Sequence, residues 1–321
     1  MELALNAWLM PLAVGLTVVA VTCLADRCGA RVGGFLATIP VTSLFGIVYL
    51  LCTVSDRQLV SPIILAGNYS VLASLVAIPA YAVAVAWSRG LSNGVRVCGA
   101  QVVFFILYLA LVLAARRWLP LGHYLFAIDA LLGLLLVVGL RRRSPRPVTT
   151  SRRLPCTPAE CLLRFASGVL IMGLLQVAAR LDTVLAAVLA VFPGIFSISL
   201  GIMGIRQSAE FSAQAATSGS LGVIAIALFI AGFALWIPAL QHGQLFAVLS
   251  AALTACTFYT LGLWGLHRVT RSAHRARVNY LASGDAESVA PPMRSANGGR
   301  SFANTPHPQR KDGGCPTGAL K

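Results

Sequence analysis

The sequence predicts an all-α protein, a polytopic bundle of about nine transmembrane helices with an inverted 4+1+4 repeat. Three observations lead to this prediction. Hydrophobic residues make up 57% of the 321 residues and charged residues only 11%, whereas an ordinary soluble domain has about 25% charged residues. The apolar residues run continuously over about 20 positions, the length that a helix needs to cross a bilayer. Short sequence elements also recur 153 residues apart.

Nine apolar segments are candidates for membrane-spanning helices. We place them at 7–25, 33–53, 61–87, 97–115, 121–140, 161–179, 183–205, 217–238 and 244–266. No basic residue precedes the first segment, which therefore predicts a retained span rather than a cleaved signal peptide. The predicted units are 1–120 (first four-helix repeat), 121–160 (linker helix and basic loop), 161–270 (second, inverted repeat) and 271–321 (disordered cytoplasmic tail).

The formal net charge of +15 is explained by arginines between the predicted spans. The segments on one side hold only Arg57, Arg116, Arg117 and Arg180, and the other side holds most of the rest. The positive-inside rule then places the N-terminus outside and the C-terminus in the cytoplasm. Nucleic-acid binding would need basic and aromatic residues mixed on a soluble module. No such module is found, so we expect the lipid bilayer and no nucleic acid as partner.

An internal repeat supports the inverted arrangement. Residues 34–45 read Gly-Phe-Leu-Ala-Thr-Ile-Pro-Val-Thr-Ser-Leu-Phe, and residues 187–198 read Ala-Val-Leu-Ala-Val-Phe-Pro-Gly-Ile-Phe-Ser-Ile. The 153-residue offset aligns Pro40 with Pro193 and Arg27 with Arg180. Leu107-Tyr108 matches Phe258-Tyr259 at an offset of 151. Because five crossings separate equivalent spans, the halves would be inverted, with the fifth span as linker, a common plan of secondary transporters.

The stretch at 33–43, Gly-Gly-Phe-Leu-Ala-Thr-Ile-Pro-Val-Thr-Ser, resembles the small four-span GlpM-type bacterial membrane proteins. Ile78-Pro79-Ala80-Tyr81 is similar to the Ile-Pro-aromatic element of that family. The whole chain also resembles uncharacterised two-repeat bacterial inner-membrane proteins. The second half departs from the pattern, with Gly232 where Pro79 would fall. The resemblance implies a bacterial inner-membrane location and carries no biochemical activity.

Pro40 and Pro193 lie near the middle of the second and seventh spans. Proline removes a backbone donor from a helix and frees a carbonyl group, which in a membrane must find a new partner. Hydroxyl side chains surround both prolines, namely Thr38, Thr42, Ser43, Ser197 and Ser199. We expect a substrate pathway where the two kinked helices meet. The alternative is a plain kink, with the hydroxyl groups bonded to their own helices.

Asp129 is the only carboxylate deep inside a predicted span. An unpaired charge at the bilayer centre costs at least about 2.5–3.5 kcal/mol, so the side chain should face a partner or water. The sequence makes Asp129 a candidate for proton coupling, with a structural hydrogen bond as the alternative.

Other site chemistry is not indicated. The cysteines within the spans are typical of small apolar residues, and no His or Cys spacing predicts a metal site. No catalytic dyad or nucleotide-binding loop is present, so we expect no enzyme activity, no cofactor and no metal. The sequence leaves open whether the protein forms an oligomer.

The favoured function is transport by a secondary permease or exporter of a small metabolite or ion. Two alternatives remain open at this point. The 4+1+4 plan is similar to that of two-domain fluoride channels, although their Gly-rich and Phe motifs are absent. The third hypothesis is an accessory membrane protein of a biosynthetic pathway that transports nothing.

Overall fold

A computed structural model describes residues 2–54, 56–142, 157–242 and 245–282. Apart from a short 3-10 turn at Arg57–Leu59, every regular element in these ranges is an α-helix. The helices are α1 (Glu2–Arg27), α2 (Gly29–Leu36), α3 (Val41–Thr53), α4 (Val60–Trp87), α5 (Asn93–Trp118), α6 (Tyr124–Arg142), α7 (Pro158–Leu181), α8 (Thr183–Val191), α9 (Gly194–Arg206), α10 (Ala209–Ala234), α11 (Ile237–Gln241) and α12 (Leu245–Ala282). The predicted all-helical class is confirmed.

Seven helical segments within the described ranges are long and apolar enough to cross a membrane. They are Leu9–Arg27, Arg57–Trp87, Asn93–Trp118, Pro158–Leu181, Thr183–Arg206, Ala209–Ala234 and Phe246–Gly265. Val41–Thr53 and Tyr124–Gly139 are apolar but shorter. The protein therefore fits a helical membrane bundle.

Several helix boundaries differ from the prediction. The predicted spans 33–53 and 183–205 are each divided into two helices. The span predicted at 217–238 begins earlier, at Ala209, because Ser208 caps the helix by accepting a hydrogen bond from the Phe211 N–H at 3.1 Å. The first turns of this helix contain polar residues, so the apolar pattern alone predicts a later start.

The predicted tail also differs. Residues 271–282 continue α12 instead of leaving the helix. The rest of the predicted tail, 283–321, lies outside the described residues, as does most of the basic loop. One compact unit extends to Ala273, and the last turns of α12 belong to a second unit.

Helices α4 and α10 form the centre of the first unit. They pack against each other, and most of their residues are buried. The outer helices instead expose large apolar side chains, including Ile106, Leu109, Leu113, Leu170 and Leu253. In a soluble protein a broad exposed apolar surface is disfavoured. Here it is the surface that a bilayer would cover.

Ion pairs join the helices at their ends. At one end Arg164 of α7 pairs with Asp26 of α1, and Arg206 of α9 lies 2.6 Å from Glu160 of α7. Arg96 at the start of α5 lies 2.6 Å from Glu210 at the start of α10. The Arg164 side chain is only 1% exposed. These pairs place the end of α1 and the starts of α5, α7 and α10 at the same end of the bundle.

The opposite end has a single ion pair among the described residues, Arg116 with Asp182 at 2.6 Å. Asp182 also caps α8 by accepting hydrogen bonds from the N–H groups of Val184 and Leu185. Partial burial opposes ionisation of Asp182, but these N–H groups and the Arg116 guanidinium hold its pKa below the usual value. The pair fixes the end of α5 beside the start of α8.

We predict that Asp26→Asn destabilises the protein by about 3–5 kcal/mol, because it removes the carboxylate that forms an ion pair with the buried Arg164 guanidinium. Asp182→Asn is the matched control. Asparagine keeps the cap, and loss of an exposed ion pair costs less than about 1 kcal/mol. The measurement is the free energy of unfolding in a detergent titration. Equal losses in the two variants would contradict this prediction.

Candidate functional site

Two helix breaks, at which the chain leaves the helical conformation for a few residues, interrupt the apolar segments, and the first lies at Pro40. Helix α2 ends at Leu36 and α3 begins at Val41. Pro40 has φ −80° and ψ 52°, and the Val41 N–H donates a hydrogen bond to the Ile39 carbonyl at 2.8 Å. This bond across one residue, with these dihedral angles, forms an inverse γ-turn. The helix is interrupted here, whereas the sequence predicted a continuous helix with a kink.

The second break, at Pro193, has the same backbone geometry. Pro193 has φ −80° and ψ 44°, and the Gly194 N–H donates to the Phe192 carbonyl at 2.8 Å. The flanking bonds are also equivalent. Before each proline, the Ile39 N–H donates to the Leu36 carbonyl, and the Phe192 N–H donates likewise to the Leu189 carbonyl. After each proline, the Leu44 N–H donates to the Pro40 carbonyl, and the Ser197 N–H donates likewise to the Pro193 carbonyl. Every one of these pairs is 153 residues apart.

The five hydroxyl residues predicted near the prolines are all buried. Thr38 lies in the first break, with its Oγ1 at 3.5 Å from the Tyr259 hydroxyl, while Thr42 and Ser43 lie in the first turn of α3. In the first turn of α9 the Ser197 hydroxyl donates to the Gly194 carbonyl at 3.0 Å. Ser199 Oγ has no hydrogen-bond partner among the described residues. The local bonding expected of a plain kink is thus present at Ser197 and absent at Ser199.

Each break packs against a glycine of a central helix. A Cβ atom at Gly222 of α10 would collide with the Thr38 side chain. A Cβ atom at Gly67 of α4 would lie 3.1 Å from Cγ2 of Val191, which is equivalent to Thr38 at the 153-residue offset. The first break therefore lies against α10 and the second against α4. Helix α3 also meets α8, where Gly46 lies against Ala190.

A tyrosine meets each break as well. Tyr259 of α12 approaches Thr38, and Tyr108 of α5 lies with its ring centroid 4.9 Å from that of Phe192. Tyr108 also shares a 2.6 Å hydrogen bond with Ser70. In the sequence these tyrosines are evidence for the repeat and do not stand out as site residues. Their matching offsets were the signal that could have placed them at the breaks.

Two amide side chains near the central helices have incomplete hydrogen bonding. Gln101 of α5 donates from Nε2 to the Ser197 carbonyl at 2.5 Å, and Asn68 of α4 donates from Nδ2 to the Leu65 carbonyl at 3.1 Å. In both residues the buried side-chain oxygen has no partner within the described part of the chain. Buried polar atoms normally have partners, so an unused acceptor needs an explanation.

Asp129 is 1% exposed and lies on the inward face of α6. Leu125, four residues earlier, is fully buried, and Gly133, four residues later, lies against Ile224 of α10. Helix α6 packs against both α4 and α10. Neither carboxylate oxygen has a hydrogen-bond partner in the described ranges. The carboxyl group is thus inside the protein, on a different helix from the two breaks.

No group of three or more His, Cys, Asp or Glu side chains within the described residues could hold a metal ion. The buried polar side chains described at and near the two breaks carry hydroxyl and amide groups, and Asp129 adds a buried carboxyl group on α6.

Gly222→Ala should destabilise the protein by about 1–3 kcal/mol, because the new methyl group overpacks the contact with Thr38. Gly173→Ala on α7 is the control, since no atom lies within 4 Å of its Cβ position. Alanine favours a helix over glycine by about 1 kcal/mol, so this control should be neutral or stabilising. Thermal unfolding in detergent measures both, and a stable Gly222→Ala protein would contradict the close contact.

Comparison with known proteins finds no match: no family model fits the chain, and no curated protein and no solved structure is similar to it. The GlpM-type resemblance therefore stays a prediction.

Proposed function

We propose that this protein is a secondary transporter of a small metabolite or ion, with its substrate pathway at the two broken helices. The duplicated break supports this proposal most directly. Two interruptions with the same turn, the same flanking hydrogen bonds and a 153-residue separation lie in the interior of an apolar helical protein. Discontinuous helices of this kind form the substrate and ion sites of inverted-repeat transporters.

The contacts between helices support an inverted repeat. The repeat makes α1, α2 and α4 equivalent to α7, α8 and α10, respectively. Equivalent contacts are present in both halves: α2 contacts α10, and α8 contacts α4. Similarly, α1 contacts α2, and α7 contacts α8. The pairs α1–α7 and α4–α10 each map onto themselves, and α6 contacts both α4 and α10. This is the pattern expected when α6 links two related halves around a pseudo-twofold axis.

The seven long apolar segments give seven crossings. Nine crossings result if α2 and α3 together form one more and α6 forms another. The ion pairs agree with this count, because each joins residues that the nine-span topology assigns to the same side. The side with three pairs is the one that the positive-inside rule assigns to the cytoplasm. The N-terminus would then be outside and the C-terminus in the cytoplasm of a bacterial inner membrane.

The unused polar atoms suggest where a substrate or proton would bind. Ser199 Oγ, Gln101 Oε1 and both oxygens of Asp129 are buried without hydrogen-bond partners among the described residues. A solute entering between the central helices and the breaks would satisfy such groups, and a carboxyl group at membrane depth suits proton coupling. The other predicted pathway residues, namely Pro40, Thr38, Thr42, Ser43, Pro193 and Ser197, lie in the breaks or in the first helical turn after them.

Access of water to the breaks tests the pathway without knowledge of the substrate. In a cysteine-free background, Thr38→Cys and Ser197→Cys should react with a membrane-impermeant maleimide in vesicles of both orientations, because alternating access opens the breaks to each side in turn. Thr22→Cys is the control, since Thr22 is buried on α1 and bonds the Val18 carbonyl at 2.7 Å. Labelling no faster than that of the control would contradict the pathway and favour an accessory protein.

A second experiment tests proton coupling. Proteoliposomes containing a pH-sensitive dye would be exposed to neutral amino acids, sugars and monovalent cations, one at a time. We expect a solute from this panel to drive proton movement, and Asp129→Asn to abolish it because the amide cannot carry a proton. Asp182→Asn should retain it, since that residue lies at the end of the bundle. Full proton movement in Asp129→Asn would exclude this role, and flux far above carrier rates would favour a channel.

A further inference from the structure

Helices α1 and α7 cross with their backbones in direct contact. A Cβ atom at Gly168 would lie 2.9 Å from the Cα atom of Gly15, and a Cβ atom at Gly15 would lie 2.8 Å from the Phe165 ring. Only residues without side chains allow helices to approach this closely. The crossing therefore brings side chains near it within reach of the opposite helix.

Two cysteines lie about two turns from this crossing, towards the same end of the bundle. Cys23 follows Gly15 by eight residues, and Cys161 precedes Gly168 by seven. Because the helices are antiparallel, these positions face each other, and the two Sγ atoms are 4.0 Å apart. Neither cysteine is in a disulfide bond, and both are partly buried.

Arg164 positions one of these sulfur atoms. Its Nη1 lies 3.7 Å from Cys23 Sγ, and its Nη2 pairs with Asp26. Cys161 and Arg164 are three residues apart on α7, and Cys23 and Asp26 are three residues apart on α1, so each pair shares a helix face. The sulfur atoms are thus adjacent to a buried ion pair that holds the two helices together.

We propose that Cys23 and Cys161 are a redox-active pair that forms a reversible disulfide bond between α1 and α7. A disulfide needs sulfur atoms about 2.05 Å apart, so the two Sγ atoms, now 4.0 Å apart, have to move closer by rotation of the two short side chains. The oxidant is hydrogen peroxide. Two sulfur–hydrogen bonds and the oxygen–oxygen bond break, one sulfur–sulfur bond forms, and the two thiol hydrogens leave with the peroxide oxygens as two water molecules. A thiol reductant reverses the step by exchange.

The bond would join the two halves of the chain at the end that carries three of the four ion pairs. In the proposed transporter α1 and α7 are equivalent helices, so linking them would hold this end closed and stop transport. That consequence rests on the proposed function, whereas bond formation itself does not. Stable disulfides are rare in the cytoplasm, and those that form there are usually transient and redox-sensing.

The test uses a full-length variant that keeps only Cys23 and Cys161 of the eight cysteines, with serine at the other six. After hydrogen peroxide treatment of membrane vesicles, both thiols should become unreactive towards a maleimide-polyethylene glycol reagent while the protein still migrates as a monomer. Dithiothreitol should restore both. In a matched variant that keeps only Cys28 and Cys161, both thiols should stay reactive towards the maleimide reagent after the same treatment. Mass spectrometry of the oxidised wild-type protein should find the Cys23 and Cys161 peptides joined.

A glycine pair tests the geometry without altering either sulfur. Gly168→Ala should slow the loss of thiols, because the methyl group pushes α1 away, and Gly173→Ala should leave the rate unchanged. Retention of both thiols, a bond between two copies of the chain, or equal loss in the Cys28 variant would overturn the proposal. Since these readouts measure only thiols, a bond that forms without stopping transport would count against the transport consequence alone.

Discussion

The need to satisfy backbone hydrogen bonds in an apolar environment constrains this fold more than any other interaction. A regular helix satisfies them internally, and lipid offers no replacement where a helix is interrupted. The chain is interrupted at Pro40 and Pro193, and at each point a tight turn recovers one bond through Val41 or Gly194. The remaining groups at the breaks must face protein or water. The breaks therefore have to lie against the central helices, away from the lipid-facing surface.

Glycine makes that placement sterically feasible. Gly222 of α10 leaves room for Thr38 of the first break, and Gly67 of α4 leaves room for Val191 beside the second break. A Cβ atom at Gly222 would overlap the Thr38 side chain, and one at Gly67 would be in tight contact with Val191, so a larger residue at either position would crowd the adjacent break. Glycines also allow the close approach of α1 and α7, at Gly15 and Gly168. Small residues on the long helices thus decide where polar backbone can exist in the interior.

Local pattern was enough to predict the helical class, most apolar segments and a kink at each of the two prolines. It could not distinguish a kink from a break, because a proline in a membrane helix is compatible with either until its neighbours are known. The approach of Tyr259 to Thr38 and of Cys23 to Cys161 joins residues more than 100 positions apart. Such contacts depend on which helices become neighbours, and hydropathy carries no information on that choice. The early start of α10 was missed because its first turns are polar.

The described carboxylates include four that pair with arginines at helix ends and one that is buried inside the bundle without a hydrogen-bond partner. The described ion pairs lie at the helix ends, where Asp26, Glu160, Asp182 and Glu210 each meet an arginine. Asp129 differs from these four carboxylates, because it is buried on α6 and neither oxygen has a partner within the described residues. An unpaired intramembrane carboxylate costs at least about 2.5–3.5 kcal/mol. An aliphatic side chain would avoid that cost and still pack beside Leu125 and Gly133. The stability of the bundle therefore gives no reason for an acid at this position, which is why the proton coupling proposed above is assigned to Asp129.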